Sequence, residues 1–427
     1  MAFHSIKAAS DESGQAVAGS WYRSLSAAQR AAFWSSFAGH AADAMDTQMF
    51  SFAIPALLSL WSLTKGEAGQ IASISLIMSA VGGWGAGVLA DRFGRVKILQ
   101  WTIVLFSLCS VASGLAQNYG QLLTARALLG LGFGGETAIS AVLVAEIMPT
   151  IARGRMVGLV QGGWAIGWGI AALLSTLCQL YLDPHLAWRV MFLVGAAPAA
   201  LIFVLRRYVP EPPMFIREEG ATRPSALTMA LSIFAAGRVW RTILATFMCA
   251  GIMGGFFAVM VWLPTYLKLV KNLSVVNTGA YLAFVILGSF SGYVFGSFTT
   301  DSLGRKKTLA LFSLGALATI YVYTQTNFAH GILIWIGFPL GVFTSGIYAS
   351  IGSFLAELFP TSIRANAQGF AFNVGRALGS VFPMMIGYAS AKMPLGTAIC
   401  IFATISYVLL FLVLLLLPET KGQQLET

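Results

Sequence analysis

The sequence predicts an all-α membrane protein of the twelve-helix kind, built as two six-helix repeats. Three observations support this fold class: the composition, the number of apolar runs and a set of loop motifs that occurs twice. Of the 427 residues, 57% are hydrophobic and only 10% are charged, whereas about 25% of the residues of a soluble domain are charged. The first thirty residues are polar and mixed, which does not fit a secretory signal peptide.

A membrane-spanning helix needs about 20 predominantly apolar residues. Twelve runs of this kind are present, at 31–60, 68–90, 98–115, 120–146, 156–181, 187–206, 240–267, 276–300, 308–326, 329–356, 365–391 and 395–417. The long polar segment between the sixth and seventh runs is rich in proline and charge. We therefore expect a cytoplasmic tail over 1–30, an N-terminal bundle over 31–209, a cytoplasmic linker over 210–238, a C-terminal bundle over 239–418 and a cytoplasmic tail over 419–427.

The distribution of lysine and arginine predicts the orientation, because these residues accumulate in cytoplasmic loops. With a cytoplasmic N-terminus, 19 of the 26 basic residues lie in inner segments, five in outer segments and two within spans. Both termini are therefore expected inside the cell, most simply at a bacterial inner membrane. This asymmetry explains the net charge of +10 without a nucleic acid partner. We expect the chain to work in the lipid bilayer as a monomer.

Three loop signatures occur twice in the same order, at offsets of 210, 211 and 208 residues. The pairs are Asp91–Arg95 with Asp301–Arg305, Ala145–Thr150 with Ala356–Thr361, and Pro210–Glu211 with Pro418–Glu419. Such a series indicates a duplicated six-helix unit. Internal repeats of this kind place a substrate site near the middle of the membrane, between the repeats.

The first span contains two carboxylates, Asp43 and Asp46, one turn apart on one helical face. Each costs about 2.5–3.5 kcal/mol at the centre of a transmembrane helix, and such groups face a bundle interior or a water-filled path. Ser36 and His40 extend the polar stripe along the same side. We predict a polar cavity in which Asp43 and Asp46 couple transport to protons, with His40 in reach of the substrate. A hydrogen-bonded packing pair is the alternative.

The eleventh span contains a buried cation, Arg376, and its counterpart 211 residues earlier is Ala165. The charge is thus not part of the repeat, as expected for a substrate-binding residue. The planar guanidinium suits a carboxylate, because it makes two parallel charge-assisted hydrogen bonds. We predict that Arg376 binds the substrate together with Asn373, one turn earlier. A structural ion pair is the alternative.

Other spans offer further polar and aromatic candidates. In the fourth span, Arg126 is predicted to bind substrate, to pair with an acid or to serve as a latch in proton coupling. Glu136 either carries a proton or holds helices together. In the fifth span, Gln161 and Trp164 share one helical stripe. Either they line the cavity or Trp164 fills the core. Tyr348 of the tenth span is a similar candidate for substrate binding.

Charged residues recur at the predicted cytoplasmic face of both halves. Opposite charges at matching depth predict ion-pair latches that break and re-form as the halves move, since a switch needs different contacts in its two states. A purely topological role for the arginines is the alternative. The predicted gating residues are Asp91, Arg92, Arg95, Glu146, Arg153, Asp301, Arg305, Glu357 and Arg364.

Several of these stretches resemble a known family. The stretch from Gly87 to Lys97 resembles the loop 2–3 signature of the major facilitator superfamily, and Arg126 to Gly134 resembles its fourth-helix motif. Within that family, Asp43 and Asp46 are similar to the DGxD pattern of aromatic-acid:proton and sialate:proton symporters, with Ala44 in place of the glycine. The resemblance implies an alternating-access carrier that moves an organic acid with protons.

These observations predict proton-coupled import of a small organic anion: a monocarboxylate, an aromatic acid or a sialate-like acid. No cofactor is expected beyond the proton as coupling ion. The alternative is a proton-coupled drug or cation exporter, but such carriers usually have a glycine/proline motif in helix five, and no proline occurs between Gly158 and Tyr181. An enzyme is not expected, because the sequence offers no nucleophile–base pair, metal-ligand spacing or phosphate loop.

Overall fold

The computed structural model describes residues 25–147, 153–197, 238–326, 328–360 and 363–421, together with 202, 209 and 233–235. Most of the two predicted tails and of the linker over 210–238 lies outside the described residues. In the described part every regular element is a helix. The N-terminal half contributes α1 (Ala27–Leu60), α2 (Lys65–Phe93), α3 (Arg95–Leu115), α4 (Tyr119–Ile147), α5 (Arg153–Tyr181) and α6 (Pro184–Gly195).

The C-terminal half builds its six spans from nine described helices, because three spans are broken in two. These helices are α7 (Val239–Met260), α8 (Leu263–Leu269), α9 (Val275–Leu303), α10 (Arg305–Gln325), α11 (His330–Gly346), α12 (Tyr348–Leu358), α13 (Arg364–Gly379), α14 (Phe382–Ala389) and α15 (Leu395–Leu416). The seventh, tenth and eleventh spans were predicted as three spans without internal breaks, and the structure shows that each is interrupted.

Proline explains two of the three breaks. A proline ring clashes with the carbonyl four residues earlier and lacks a backbone N–H. Pro264 lies in the first turn of α8, and α7 ends four residues before it, at Met260. Pro383 lies in the first turn of α14, and α13 ends four residues before it, at Gly379. The break between α11 and α12 contains no proline, and nothing else in the structure explains it.

Eight of the described spans are long and apolar enough to cross a membrane by length and composition alone. The first and eleventh spans are not among these eight, and they contain the charged residues Asp43, Asp46 and Arg376, which lower their mean hydropathy. In the fourth span, several side chains near the end of α4 lie outside the described residues. The sixth span is described only in part.

The backbone confirms the duplication. Ser62 and Asn272 lie 210 residues apart in the loops before α2 and α9, and both have φ of 52°. Gly94 and Gly304, again 210 residues apart, follow α2 and α9 with φ of 101° and 97°. An L-residue with a side chain is strained at such angles, which explains a glycine at each sharp turn into α3 and α10.

The two ends of the molecule differ in how closely the halves approach. We call the end with the turns at Gly94 and Gly304 the motif end, and the opposite end the far end. At the far end, α14 lies against α2: a Cβ added to Gly387 would be 2.2 Å from the Lys65 carbonyl oxygen. Ser73 Oγ of α2 accepts a hydrogen bond of 3.0 Å from the backbone N–H of Met384. The α14 N-terminus is thus capped by the opposite half.

Towards the motif end, glycines of the same two spans have open space beside them. A Cβ added to Gly85 or Gly87 of α2, or to Gly369 of α13, would meet no atom within 4 Å. Trp84 and Leu89 of α2 are also exposed. Among the described residues, the contacts at Lys65, Ser73, Met384 and Gly387 close the two halves at the far end.

Close helix packing predicts which glycines are sensitive to substitution. Gly288→Ala should lower the free energy of unfolding by about 1–3 kcal/mol, because a Cβ there would lie 2.0 Å from the Phe338 carbonyl oxygen of α11. Gly85→Ala, where a Cβ meets open space, is the matched control and should unfold at the wild-type temperature or above it. Thermal unfolding in detergent measures both; equal loss in the two variants would contradict the packing argument.

Candidate functional site

A buried ion pair joins the first and fourth spans. Nη1 of Arg126 on α4 lies 2.5 Å from Oδ2 of Asp46 on α1, and the two side chains are 3% and 0% exposed. Oδ1 of Asp46 accepts a hydrogen bond of 2.9 Å from Ser110 Oγ of α3. Pairing with an acid was one of the roles predicted for Arg126, and the structure places it in direct contact with Asp46.

Aromatic rings enclose the guanidinium of this pair. The Arg126 Cζ atom lies 5.1 Å from the ring centroid of Phe50 and 5.3 Å from that of Phe192. Such rings attract a cation through their electron-rich faces. The pair therefore lies among α1, α3, α4 and α6, wholly within the N-terminal half.

Ser110 can serve both protonation states of Asp46. Its hydroxyl has one proton and two nearby acceptors, Asp46 Oδ1 at 2.9 Å and the Phe192 carbonyl oxygen at 3.0 Å. An ionised Asp46 accepts the proton of Ser110. A neutral Asp46 would donate to the Ser110 oxygen, whose own proton would then go to Phe192. No polar group in this set is left unsatisfied by the change.

Arg376 lies between the two halves, in the last turn of α13. It is 5% exposed, and its Nη1 approaches Ser79 Oγ of α2 at 3.4 Å. The rings of Phe372 and Phe133 lie 4.9 Å and 5.5 Å from its Cζ atom. Among the described residues, no carboxylate lies within 4.0 Å of this guanidinium.

Residues of both halves surround Arg376 at longer range. The carboxylate of Asp43 on α1 lies within electrostatic range of it, and Tyr348 on α12 is also nearby. Asp43 is buried, and it lies one turn before the ion-paired Asp46. We call Asp43, Ser79, Phe133, Phe372 and Arg376 the central site. These residues come from both halves, and a substrate site between the repeats stays a prediction.

The predicted Trp164 extends the central site along α5. Its ring centroid lies 6.3 Å from that of Phe133. Its indole Nε1–H is buried and has no hydrogen-bond partner among the described residues. Gln161, one turn earlier, is exposed at its position on α5. A buried donor without an acceptor costs free energy, and the described residues supply none to this indole.

Two more predicted residues flank the central site. Asn373 donates to the Gly369 carbonyl oxygen at 2.9 Å, and its Oδ1 lies 2.7 Å from the place that a Cβ of Gly83 on α2 would take. Tyr348 packs against Phe256 with ring centroids 5.2 Å apart. Asn373 therefore contacts the opposite half, whereas Tyr348 contacts its own.

Glu136 and His40 lie inside the N-terminal half. Both are buried, and Glu136 Oε1 accepts a hydrogen bond of 2.6 Å from Ser140 on the same helix. A Cβ on Gly163 would lie 3.4 Å from the Cβ of His40, so α5 packs closely on this part of α1. Glu136 is not the partner of Arg126, in keeping with their different helical faces.

The predicted latch of the C-terminal half is formed at the motif end. Arg305 Nη2 donates to Glu357 Oε1 at 2.7 Å, whereas Asp301 is 3.9 Å away and mostly exposed. Nε of Arg364 donates to the Ala356 carbonyl oxygen at 2.8 Å. The contacts stay within one half, and their part in gating stays a prediction.

The equivalent latch of the N-terminal half cannot be followed in the same detail, because the side chains of Asp91, Glu146 and Arg153 lie outside the described residues. Arg92 lies over the ring of Phe93, with its Cζ atom 5.4 Å from the ring centroid. Arg95 is the first residue of α3.

Six residues around the charges were not predicted from the sequence: Phe50, Ser79, Ser110, Phe133, Phe192 and Phe372. Phe372 lies four residues before Arg376, and Phe50 lies four residues after Asp46, so helical spacing alone was enough to place each on the same face as that charge. The other four belong to different spans from the charges they contact, and no local pattern marks them.

Comparison with known proteins gives a consistent result. The family model described as Major Facilitator Superfamily matches residues 36–383. The chain is 39% identical over 409 residues to the "Probable 4-methylmuconolactone transporter" of Cupriavidus pinatubonensis, over 95% of this chain and 94% of that protein. It is 29% identical over 416 residues to the niacin transporter NiaP of Acinetobacter baylyi, over 90% and 93% of the two chains.

A solved structure agrees in fold. The crystal structure of a D-xylose-proton symporter matches with a TM-score of 0.74 and 21% sequence identity, over 93% of this chain and 100% of that one. At this identity the likeness concerns the fold alone.

The different surroundings of the two buried arginines predict different stabilities on substitution. Arg126→Met should lower the free energy of unfolding by about 3–5 kcal/mol, because it leaves the buried Asp46 without its partner. Arg376→Met should leave it within about 1 kcal/mol of wild type, because no ion pair is lost. Thermal unfolding of both variants in detergent measures the difference. A large loss in Arg376→Met would show that Arg376 is a structural ion-pair residue.

Proposed function

The chain belongs to the Major Facilitator Superfamily, and we propose that it imports a small organic anion together with protons. The prediction of a multi-pass membrane transporter rather than an enzyme is confirmed by the family and by the relatives, which are transporters. The twelve-helix fold is confirmed as well. The substrate class, the coupling ion and the direction of transport belong to our proposal.

The observation that carries the proposal is the buried Arg376 without a carboxylate beside it. An uncompensated charge inside a protein is costly, and in a membrane it marks a substrate or ion pathway. A carboxylate of the substrate is the partner that completes this site. A cationic drug would meet repulsion from the same guanidinium, which is why we favour the anion over the exporter alternative.

The rings around Arg376 favour a planar, unsaturated acid. Phe133, Phe372 and Trp164 offer flat apolar surfaces next to the cation, and the Trp164 indole N–H would donate to an oxygen or nitrogen elsewhere on the substrate. Two relatives are named for 4-methylmuconolactone and niacin, which supports this class. A lactate-sized acid would be too small to bind Arg376 and contact these rings at the same time.

Proton coupling is proposed to depend on Asp46 and Arg126, with Asp43 as the link to the central site. Protonation of Asp46 removes the negative charge that holds Arg126, and Ser110 accommodates the neutral carboxyl. The two states of the pair therefore differ in their contacts, as a conformational switch requires. Asp43, one turn away and in electrostatic range of Arg376, would respond to the substrate charge.

The direction follows from the orientation that the basic residues predict. If the motif end faces the cytoplasm, the structure corresponds to an inward-open state that is sealed towards the outside. Binding of a proton and a carboxylate from the outside would give a nearly neutral site. A neutral site can cross to the inside more readily than a charged one, because unpaired charge in the membrane is costly.

The proton assignment predicts the behaviour of two neutral variants. Asp43→Asn and Asp46→Asn should lose uptake driven by a proton gradient, while at least one of them keeps exchange of substrate across the membrane. An asparagine imitates the protonated acid, so the loaded carrier can still move although it cannot release a proton. Uptake and counterflow in proteoliposomes measure this. Asp183→Asn, a loop residue that caps α6, is the control and should behave as wild type; normal accumulation by both intramembrane variants would refute the assignment.

The substrate assignment predicts that charge alone is not enough at position 376. Arg376→Lys should weaken binding of the carboxylate by about tenfold, which corresponds to about 1.4 kcal/mol, because lysine lacks the planar fork. Equilibrium binding of nicotinate to the purified variant measures this, with Lys392→Arg at the far end as a charge-conserving control. Wild-type affinity in Arg376→Lys would place the anion site elsewhere.

A further inference from the structure

A lysine at the far end bridges the two halves and has no role in the steps above. Lys268 lies in the last turn of α8, and its Nζ donates to Gln179 Oε1 of α5 at 2.8 Å. Gln179 is held in turn by its amide nitrogen, which donates to Ser175 Oγ at 2.8 Å. Because α8 and α5 belong to opposite halves, this hydrogen bond exists only while the far end is closed.

The partner of this ammonium group is a neutral amide, which accepts a hydrogen bond but cancels no charge. Two other cations at the far end have a different arrangement. Lys271 donates to the Thr326 carbonyl oxygen at 3.2 Å, and Arg189 donates to the Ala116 carbonyl oxygen at 2.5 Å. Each of these bonds stays within one half and is unaffected by separation of the halves. Lys268, in contrast, loses Gln179 when the far end opens.

A small cavity adjoins Lys268 between the halves. Its volume is about 20 Å³, and its lining includes Ser175, Thr278 and Gly279. The Thr278 hydroxyl is buried and has no hydrogen-bond partner among the described residues. The cavity is about the size of one water molecule, so it holds no substrate while closed. Separation of α9 from α5 would widen it into a mouth that presents a cation and a hydroxyl.

We propose that Lys268 is a capture site for the carboxylate of the incoming substrate, and that Gln179 takes the place of that carboxylate when the far end closes. The inference rests on the proposed function, since it needs an anionic substrate that arrives from the far end. In the open state the exposed ammonium attracts the anion and raises the rate of encounter. On closure, Gln179 replaces the carboxylate, which frees it to move inward to Arg376.

The test compares removal of the Lys268 charge with removal of its hydrogen-bond acceptor, Gln179. We would measure the uptake of radiolabelled nicotinate and of cis,cis-muconate into proteoliposomes at low and high ionic strength. The proteins compared are wild type, Lys268→Gln, Lys268→Arg, Gln179→Leu and the matched control Lys271→Gln. In Lys268→Gln, kcat/KM at low salt should fall by about fivefold and lose its dependence on salt. Lys268→Arg and Lys271→Gln should stay within about twofold of wild type, and Gln179→Leu should keep the salt dependence.

The outcomes separate the inference from the proposed function. If kcat/KM falls equally in Lys268→Gln and Gln179→Leu and still depends on salt in both, the hydrogen bond between Lys268 and Gln179 only holds the halves together. That result would overturn the capture site. Unchanged kcat/KM in Lys268→Gln would overturn it as well. If wild type takes up neither acid nor any other organic acid, the proposed function itself fails, and the capture site fails with it. Monodisperse elution of each variant confirms that the comparison is between folded proteins.

Discussion

Buried charge is the constraint on which the rest of this molecule depends. Asp46 and Arg126 compensate one another at 2.5 Å inside the N-terminal half. Arg376 has no carboxylate within 4.0 Å among the described residues, and it lies where the two halves meet. The described residues therefore contain a closed, buried ion pair and a buried cation between the halves. The function that we propose assigns the proton to the first and the substrate carboxylate to the second.

The break in the eleventh span lies between the helix that contains Arg376 and the helix that contacts α2 at the far end. Arg376 is in the last turn of α13, and its carbonyl oxygen accepts hydrogen bonds from Ser380 at the break. The next helix of that span, α14, forms the seal with α2 through Ser73 and Gly387. The proposed substrate site and the far-end seal thus lie on two helices joined by a break of two residues, Ser380 and Val381. The corresponding fifth span, α5, is a continuous helix.

The sequence was sufficient for the fold and for the identity of the buried charges, but not for their partners. Apolar runs and repeated loops are local or periodic signals, so they predicted the spans and the duplication at Gly94 and Gly304. Contact between Asp46 and Arg126 joins residues 80 positions apart, and no pattern within a span encodes it. The same holds for Phe133 near Arg376 and for Lys268 with Gln179. Helix breaks were missed because hydropathy does not register a proline at the start of a new helix.

Uptake into proteoliposomes with an imposed inward proton gradient tests the central claim most directly. The substrates would be nicotinate, benzoate, lactate, a sialic acid and a lipophilic cation such as tetraphenylphosphonium, with internal pH recorded at the same time. The account predicts accumulation of a planar carboxylic acid accompanied by acidification of the interior. Expulsion of the cation in exchange for protons would contradict it, and so would acid uptake that leaves the internal pH unchanged.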